Sequence, residues 1–217
     1  GNCWVWAGTG VMEIALDAQE GIKDRLSIQY FDSNYYYTYP APPESNYWAG
    51  CGGSLEYFAE FYSRAGQVVP WSNTNAGYGD YYQSCPDGTA VLASSISTSP
   101  NYSVSSIQNE VVPSTHGALK DEVITNIKNV LHQGKAIWFA FTLPDAEAWN
   151  EFGNFWWYQP ESMAYDMSKY DGYAYDYYWG GGHAVLLVGY DDTNPADSYW
   201  IMVNSWGTAP GRPDGIF

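Results

Sequence analysis

The hydrophobic and polar positions in the front half of the chain follow a helical period in two places. In residues 5–16, small and apolar side chains recur at the spacing of one helix face, which predicts a long helix beginning at or near Cys3. The stretch SLEYFAEFYSR, residues 54–64, predicts a second helix. Polar sequence rich in Gly or Pro at 33–50 and 73–89 predicts loops.

The pattern changes after Pro100, where short apolar runs become common. Residues 102–112 alternate as a strand does, and residues 118–134 have the spacing of an amphipathic helix. Three further runs are predicted to be buried strands: residues 135–143, 183–191 and 198–206. A helical front half and a strand-rich back half predict an α+β chain whose two unlike lobes meet at a cleft.

We expect one domain over 1–217, with a mainly helical and loop lobe at 1–100 and a mainly β lobe at 101–217. Residues 145–182 form an insertion between two of the predicted strands and are packed with Trp, Tyr, Asp and Gly. This length exceeds what a simple connection needs, so either a lid over the cleft or an assembly surface is expected. The insertion holds too many rings for a solvated loop. We expect it to pack on the strand-rich lobe, with part left for another subunit.

The composition of the chain limits which partners it can bind and indicates the compartment in which it acts. The chain has 8 Lys and Arg against 24 Asp and Glu, a formal charge of −16. This balance argues against nucleic acid and against an anionic membrane surface as partners. No run reaches the roughly 18 apolar residues that a membrane-spanning helix needs. The polar residues are mostly Tyr, Ser, Asn and Asp instead of Lys and Glu, and the chain has three cysteines. Both features favour a secreted protein with one disulfide and one free thiol.

Cys3 is either a buried structural thiol or a nucleophile. A thiol attacks as the thiolate, which a helix N-terminus and a neighbouring imidazolium both stabilise. The predicted helix start at Cys3 supplies the helix N-terminus, and a histidine from elsewhere in the chain would have to supply the imidazolium. His132 lies near the end of an amphipathic helix and His116 in a polar loop, so both favour surface roles. His183 follows three glycines and opens a buried strand, a position that suits a general base.

An imidazole that acts as a base needs a partner on its second nitrogen, and an amide oxygen can fill that role. Asn204 lies at the end of a predicted buried strand, and Trp206 could shield its hydrogen bond to His183 from water. Taken alone, Asn-Ser-Trp indicates only a strand-ending turn beside a core tryptophan. The assignment of Asn204 as the partner of His183 therefore depends on this motif occurring together with the cysteine and histidine segments.

Four segments, in this order, resemble signatures of the papain-like cysteine peptidases: GNCWVWAG, CGG, GGHAVLLVGYDD and YWIMVNSWGT. The stretch LSIQYFDSN also resembles the family's Leu-Ser-Glu-Gln stretch after the first helix. The resemblance spans residues 1–207. It implies an α+β papain-like fold, with an N-terminal helical lobe, a C-terminal antiparallel β-barrel-like lobe and an active-site cleft between them.

Residue by residue, the resemblance implies that Cys3 is the nucleophile, His183 the base and Asn204 its orienting partner. The implied reaction is hydrolysis of peptide bonds through a thioester acyl-enzyme, with no metal or cofactor. Substrate binding is implied for five residues: Gly1, Gly52, Gly53, Gly182 and Trp206. The implied partner is a peptide or protein substrate.

The chain departs from the family pattern near both ends. The family's oxyanion hole uses a glutamine a few residues before the cysteine, a position that precedes Gly1. Pro210 stands where the family has a second tryptophan, and the sequence stops at DGIF where the family continues into another strand. We therefore expect both termini to be truncated relative to the family.

Cys51 and Cys85 lie near family cysteines whose disulfide partners are absent here. We expect the two to pair with each other, although Cys51 could instead join a residue upstream. Two functions remain open at this point. One is a secreted cysteine-type peptidase or, through the same acyl-enzyme, an acyl transferase. The other is a catalytically silent or weakly active papain-fold protein used for extracellular assembly or binding.

Overall fold

A computed structural model describes residues 1–35, 49–85, 87–112, 120–176 and 180–217. Within these ranges the helices are α1 Cys3–Glu20, α2 Ile28–Asn34, α3 Leu55–Ala65, α4 Lys120–Leu131 and α5 Ala146–Tyr158. The strands are β1 Gln67–Val68, β2 Tyr102–Ser103, β3 Ile137–Leu143, β4 Gly181–Asp191 and β5 Tyr199–Val203. None of the helices so described is both long and apolar enough to cross a membrane.

The helix expected to begin near Cys3 is α1, which starts at that residue. Gly21 ends it in the left-handed conformation, at φ 68°, where glycine has no steric penalty. Gly8 lets the aromatic core approach the helix closely, since a Cβ at this position would lie 2.9 Å from the ring of Phe58. The second predicted helix is also confirmed as α3, and Gly66 ends it in the same way at φ 64°.

The three long strands form one antiparallel sheet in the order β3-β4-β5. His183 pairs with Phe141 across β3 and β4, which fixes the place of the imidazole on the sheet. The described residues form an open sheet of three strands, so the barrel-like lobe that was expected is not a closed barrel. The helices and the antiparallel strands together give the expected α+β class.

One secondary-structure prediction needs correction, and two helices were not anticipated. The alternating stretch 102–112 contributes only Tyr102–Ser103 to a strand, because its partner β1 is itself two residues long. Helix α2 was not anticipated, since six of its seven residues are buried and polar side chains are mixed with apolar ones, which removes the amphipathic signal. The second unanticipated helix is α5, with which the insertion 145–182 begins.

The core consists of two clusters of buried side chains. The first lies among the helices of the front half, and its largest members are Trp4, Phe31, Phe58 and Tyr62. The second lies between the sheet and α5 and includes Phe141, Phe152 and Phe155. Ala184 belongs to the first cluster and Val185 to the second, so opposite faces of β4 serve the two cores. The strand that carries His183 therefore lies between them.

The disulfide expected between Cys51 and Cys85 is present, with an S–S distance of 2.03 Å. Among the described cysteines, Cys3 is the free thiol. The pairing ties the turn before α3 to the loop that follows Tyr82.

Candidate active site

Cys3 is the first residue of α1 and is half-buried. Its backbone N–H has no carbonyl four residues earlier in the helix, so this donor stays available to a group at the helix end. Strand β4 approaches the thiol closely, and the backbone N–H of Ala184 donates to Cys3 Sγ at 3.4 Å. This contact brings the residue after His183 directly against the cysteine, and a direct contact between Cys3 and His183 stays a prediction.

His183 and Asn204 are joined side chain to side chain. His183 Nε2 lies 2.8 Å from Asn204 Oδ1, and each residue is 5% exposed. Asn204 directly follows β5, and its backbone N–H donates to the carbonyl of Gly215, which fixes the turn at that point. With Nε2 engaged by the amide oxygen, Nδ1 is the ring nitrogen left to receive a proton from another group.

Four aromatic rings surround the imidazole of His183. The ring centroids of Phe141, Trp149, Phe152 and Trp206 lie 5.5, 6.2, 6.3 and 5.2 Å from its own. Trp206 is the most nearly parallel of the four, at 36°, and packs against the imidazole that Asn204 holds. Burial among these rings lowers the pKa of His183, while the hydrogen bond that its ring N–H donates to Asn204 acts in the opposite direction.

The three glycines before His183 allow close approach of other groups. A Cβ on Gly180 would lie 2.6 Å from the carbonyl oxygens of Asp176 and Pro144. A Cβ on Gly181 would lie 3.2 Å from the indole nitrogen of Trp149. The run therefore lets the insertion pack tightly beside the candidate site.

A cavity of about 690 Å³ brings the candidate residues together. Cys3, His183 and Asn204 all line it, and three of the five residues expected to bind substrate line it too: Gly1, Gly182 and Trp206. Gly52 and Gly53 are exposed and lie outside its lining. Gly53 instead abuts Trp4, where a Cβ would lie 2.4 Å from the indole ring. A role for these two glycines in substrate binding stays a prediction.

Of the other two histidines, only His132 is among the described residues, and it does not line this cavity. His132 is exposed, and its Nε2 lies 2.6 Å from the hydroxyl of Tyr190 on the far end of β4. His116 lies outside the described residues. In the part of the chain that is described, no three or more His, Cys, Asp or Glu side chains are grouped so that they could hold a metal ion.

Sequence reasoning missed a polar network beside the cysteine. The side chain of Asn2 donates to buried Asp32 at 2.8 Å and to the hydroxyl of Tyr78 at 3.3 Å. It also missed Trp149 and Phe152, which lie on α5. Their signal was present in the chain, because Ala148, Phe152, Phe155 and Trp156 have the spacing of a single buried helix face.

Comparison with known proteins supports a family relationship over the end of the chain. A family model described as papain family cysteine protease matches residues 156–217, a range that includes His183 and Asn204 and excludes Cys3. Cathepsin B-like CP2 of Giardia intestinalis is 42% identical over 55 residues, 24% of this chain and 18% of that protein. Cysteine proteinase COT44 of Brassica napus is 42% identical over 65 residues, 25% of this chain and 19% of that protein. The matched stretches thus span less than a fifth of these relatives' length.

A similarity in fold covers the whole chain. The structure of the bromelain protease from Ananas comosus in complex with the E64 inhibitor covers all of this chain and 78% of its own, with a TM-score of 0.54 and 17% identity. At that identity the likeness shows the fold alone. Residues 156–217 are thus similar in sequence to papain family cysteine proteases, and the whole chain shares its fold with the bromelain protease.

Proposed function

We propose that this chain is a cysteine-type peptidase that hydrolyses peptide bonds with Cys3 as nucleophile, His183 as general base and acid, and Asn204 as orienting partner. The observation that carries the proposal is the His183–Asn204 hydrogen bond of 2.8 Å in the same cavity as a free thiol at a helix start. A structural histidine or a buried structural thiol would explain either feature singly. Neither explains why both line one cavity of substrate size.

In the proposed reaction, His183 Nδ1 takes the proton of the Cys3 thiol while Sγ bonds to the carbonyl carbon of a peptide. The tetrahedral intermediate collapses, the C–N bond breaks, and the leaving amine takes the proton from His183. Water then attacks the thioester and gives a proton to His183. The C–S bond breaks, the carboxylic acid leaves, and the proton returns to the thiol. Asn204 keeps the imidazole in the orientation that all four transfers need.

The start of α1 is the proposed site of charge stabilisation. The negative oxygen of the tetrahedral intermediate would accept from the backbone N–H of Cys3, at the positive end of the helix dipole. The same helix end favours the thiolate over the thiol.

We also propose that the protein acts outside the cell on peptide or protein substrates. The Cys51–Cys85 disulfide supports an oxidising compartment. The formal charge of −16 argues against nucleic acid as a partner. A thioester intermediate also permits acyl transfer to an amine, and product analysis by mass spectrometry separates this reaction from hydrolysis.

The experiment compares two single-histidine variants in cleavage of a mixture of peptidyl aminomethylcoumarin amides by the full protein. Loss of a general acid and base costs about 10²–10⁴ in rate, so we expect this loss for His183→Ala. The matched control His132→Ala, which removes an exposed histidine far from Cys3, should stay within about twofold of the wild-type rate. Equal effects of the two substitutions would contradict the proposed role of His183.

A second candidate function, a catalytically silent papain-fold protein used in extracellular assembly, has its own observation. Several large rings of the insertion are exposed rather than packed on the sheet: Trp157, Tyr158, Tyr173 and Tyr175. Such rings are common anchors of protein interfaces, including homo-oligomers. Sedimentation equilibrium of the wild type and of Trp157→Ser tests this candidate. Self-association that the substitution weakens, in a protein that cleaves no amide, would favour assembly over catalysis.

A further inference from the structure

Asn2 occupies the N-cap position of α1 but does not cap the helix with its side chain. Asparagine is among the best N-cap residues because its side-chain oxygen accepts from the free N–H groups of the first turn. Here the amide nitrogen instead donates to Asp32 Oδ2 at 2.8 Å and to the hydroxyl of Tyr78 at 3.3 Å. The residue before Cys3 is therefore tied to two other parts of the chain and not to its own helix.

Asp32 is an unusual partner for this amide. It is 1% exposed, and its Oδ1 is buried with no hydrogen-bond partner among the residues that the structure describes. Nearby Asp80, in contrast, accepts from Gln29, from Thr89 and from the backbone of Ala90. A carboxylate with one donor is costly in such a place. Burial, together with the charge of Asp80, raises the pKa of Asp32 well above its ordinary value.

The contact reaches Cys3 through the first turn of α1. The backbone carbonyl of Asn2 accepts from the N–H of Val5 at 2.9 Å and of Trp6 at 3.3 Å, so the position of Asn2 sets where the helix begins. Asn2 and Tyr78 line the same cavity as the thiol. Any change that releases the Asn2 side chain therefore frees the peptide unit that immediately precedes Cys3.

We propose that Asp32 is a positioning residue for the nucleophile. It holds Asn2 by accepting a hydrogen bond from the Asn2 side-chain amide, and Asn2 in turn keeps the Cys3 thiol against Ala184 and beside His183. Asp32 touches no substrate and moves no proton in the reaction. The inference deepens the proposed peptidase function, because the thiol that it positions is the proposed nucleophile.

The test uses four variants of the full protein: Asp32→Leu, Asp32→Asn, Asn2→Ala and the pair Asp32→Leu with Asn2→Ala. Two rates are measured, kcat for the aminomethylcoumarin amide that the wild type cleaves fastest and alkylation of Cys3 by iodoacetamide. We expect Asp32→Leu and Asn2→Ala each to lower both rates by about tenfold, with KM unchanged, because a slightly displaced thiol reacts more slowly. Asp32→Asn keeps a side-chain oxygen that can accept from Asn2 and should leave both rates within about twofold of the wild type.

Two further results separate positioning from general loosening of the fold. The double variant should lose no more than either single variant, because both break the same link. The matched control is Ser33→Ala, on the same helix, whose hydroxyl bonds Gln29 and does not contact Asn2. It should leave both rates within about twofold of the wild type.

Any of four results would overturn the proposal: unchanged rates in Asp32→Leu and Asn2→Ala, no rescue by Asp32→Asn, additive losses in the double variant, or an equal loss in Ser33→Ala. Failure of the peptidase proposal is distinguishable from these outcomes. A wild type that cleaves no amide would overturn the peptidase function, while the iodoacetamide rates would still decide the role of Asp32. If Asp32→Leu does not fold, Asn2→Ala and Asp32→Asn decide the question.

Discussion

The two walls of the cavity hold their reactive side chains by different means. On the Cys3 wall, Asn2 and Tyr78 line the cavity, and Asp32, outside the lining, accepts from Asn2, so that polar side chains are joined by hydrogen bonds. On the His183 wall, four rings surround one imidazole: Trp149 and Trp206, which line the cavity, and Phe141 and Phe152, which lie outside its lining. A hydrogen bond sets direction and distance, whereas packed rings fill volume and keep water out. Substitutions on the Cys3 wall should therefore lower mainly the reaction rate. Substitutions on the His183 wall should lower both the free energy of unfolding and the rate.

The largest effect should come from Phe152→Ala on the His183 wall. Phe152 is fully buried and contacts the rings of His183, Trp206 and Phe141. Removal of a buried phenylalanine ring leaves a cavity, so the free energy of unfolding should fall by about 3–5 kcal/mol. Urea denaturation measures it. Trp157→Ala, on the same helix but 47% exposed, is the control and should cost less than about 1 kcal/mol. Equal losses would show that α5 does not support this wall.

A smaller effect on rate is expected for Trp206→Ala. The ring of Trp206 packs on His183, so its loss should let water compete for the His183–Asn204 hydrogen bond. A less well oriented imidazole should lower kcat for amide cleavage by about tenfold or more. Trp200→Ala, at the opposite end of β5 beside Tyr190, serves as the control and should leave kcat nearly unchanged. If kcat is unchanged in Trp206→Ala, this ring does not protect the His183–Asn204 hydrogen bond from water.

The His183 wall should also lose stability in acid. Burial lowers the pKa of His183 below its ordinary value of 6.5, so the unfolded chain binds this proton at a higher pH than the folded protein does. Stability from this group is therefore present above pH 6.5 and is lost as the pH falls through the folded pKa. His183→Gln should flatten this part of the curve of melting temperature against pH. If the curve of the variant is identical to that of the wild type, groups other than His183 cause the loss of stability in acid.

The smallest effect should appear on the Cys3 wall, with the opposite sign. The pKa of Asp32 is raised above its ordinary value of 3.8, so the folded protein binds this proton more tightly than the unfolded chain. Stability from this group is present below pH 3.8 and is lost as the pH rises through the folded pKa. Asp32→Asn should therefore raise the melting temperature more at neutral pH than near pH 4. An equal change at both values would mean that the carboxyl does not titrate as inferred.

The two walls also differ in how far the sequence predicted them. Helix α1 and strands β4 and β5 were predicted because long apolar periods with glycine stops leave few alternatives. No helix was predicted in the insertion, because Trp and Tyr occur throughout it and hide the buried face of α5 among exposed rings. Asp32 could not be found at all, since a carboxylate beside a Tyr-rich segment gives no sign that it will be buried. Its partner Asn2 is 30 residues away in the chain.

The most direct measurement is covalent labelling of the full protein with a peptidyl epoxide, followed by mass spectrometry of the digested product. Sulfur attacks one epoxide carbon, the C–O bond breaks, and the oxygen takes a proton, as a positioned thiol and imidazole should promote. We expect a single adduct on Cys3, formed about 100-fold more slowly in His183→Ala and at the wild-type rate in His132→Ala. No adduct on Cys3 under conditions in which iodoacetamide modifies it, or equal labelling rates in His183→Ala and the wild type, would contradict the account.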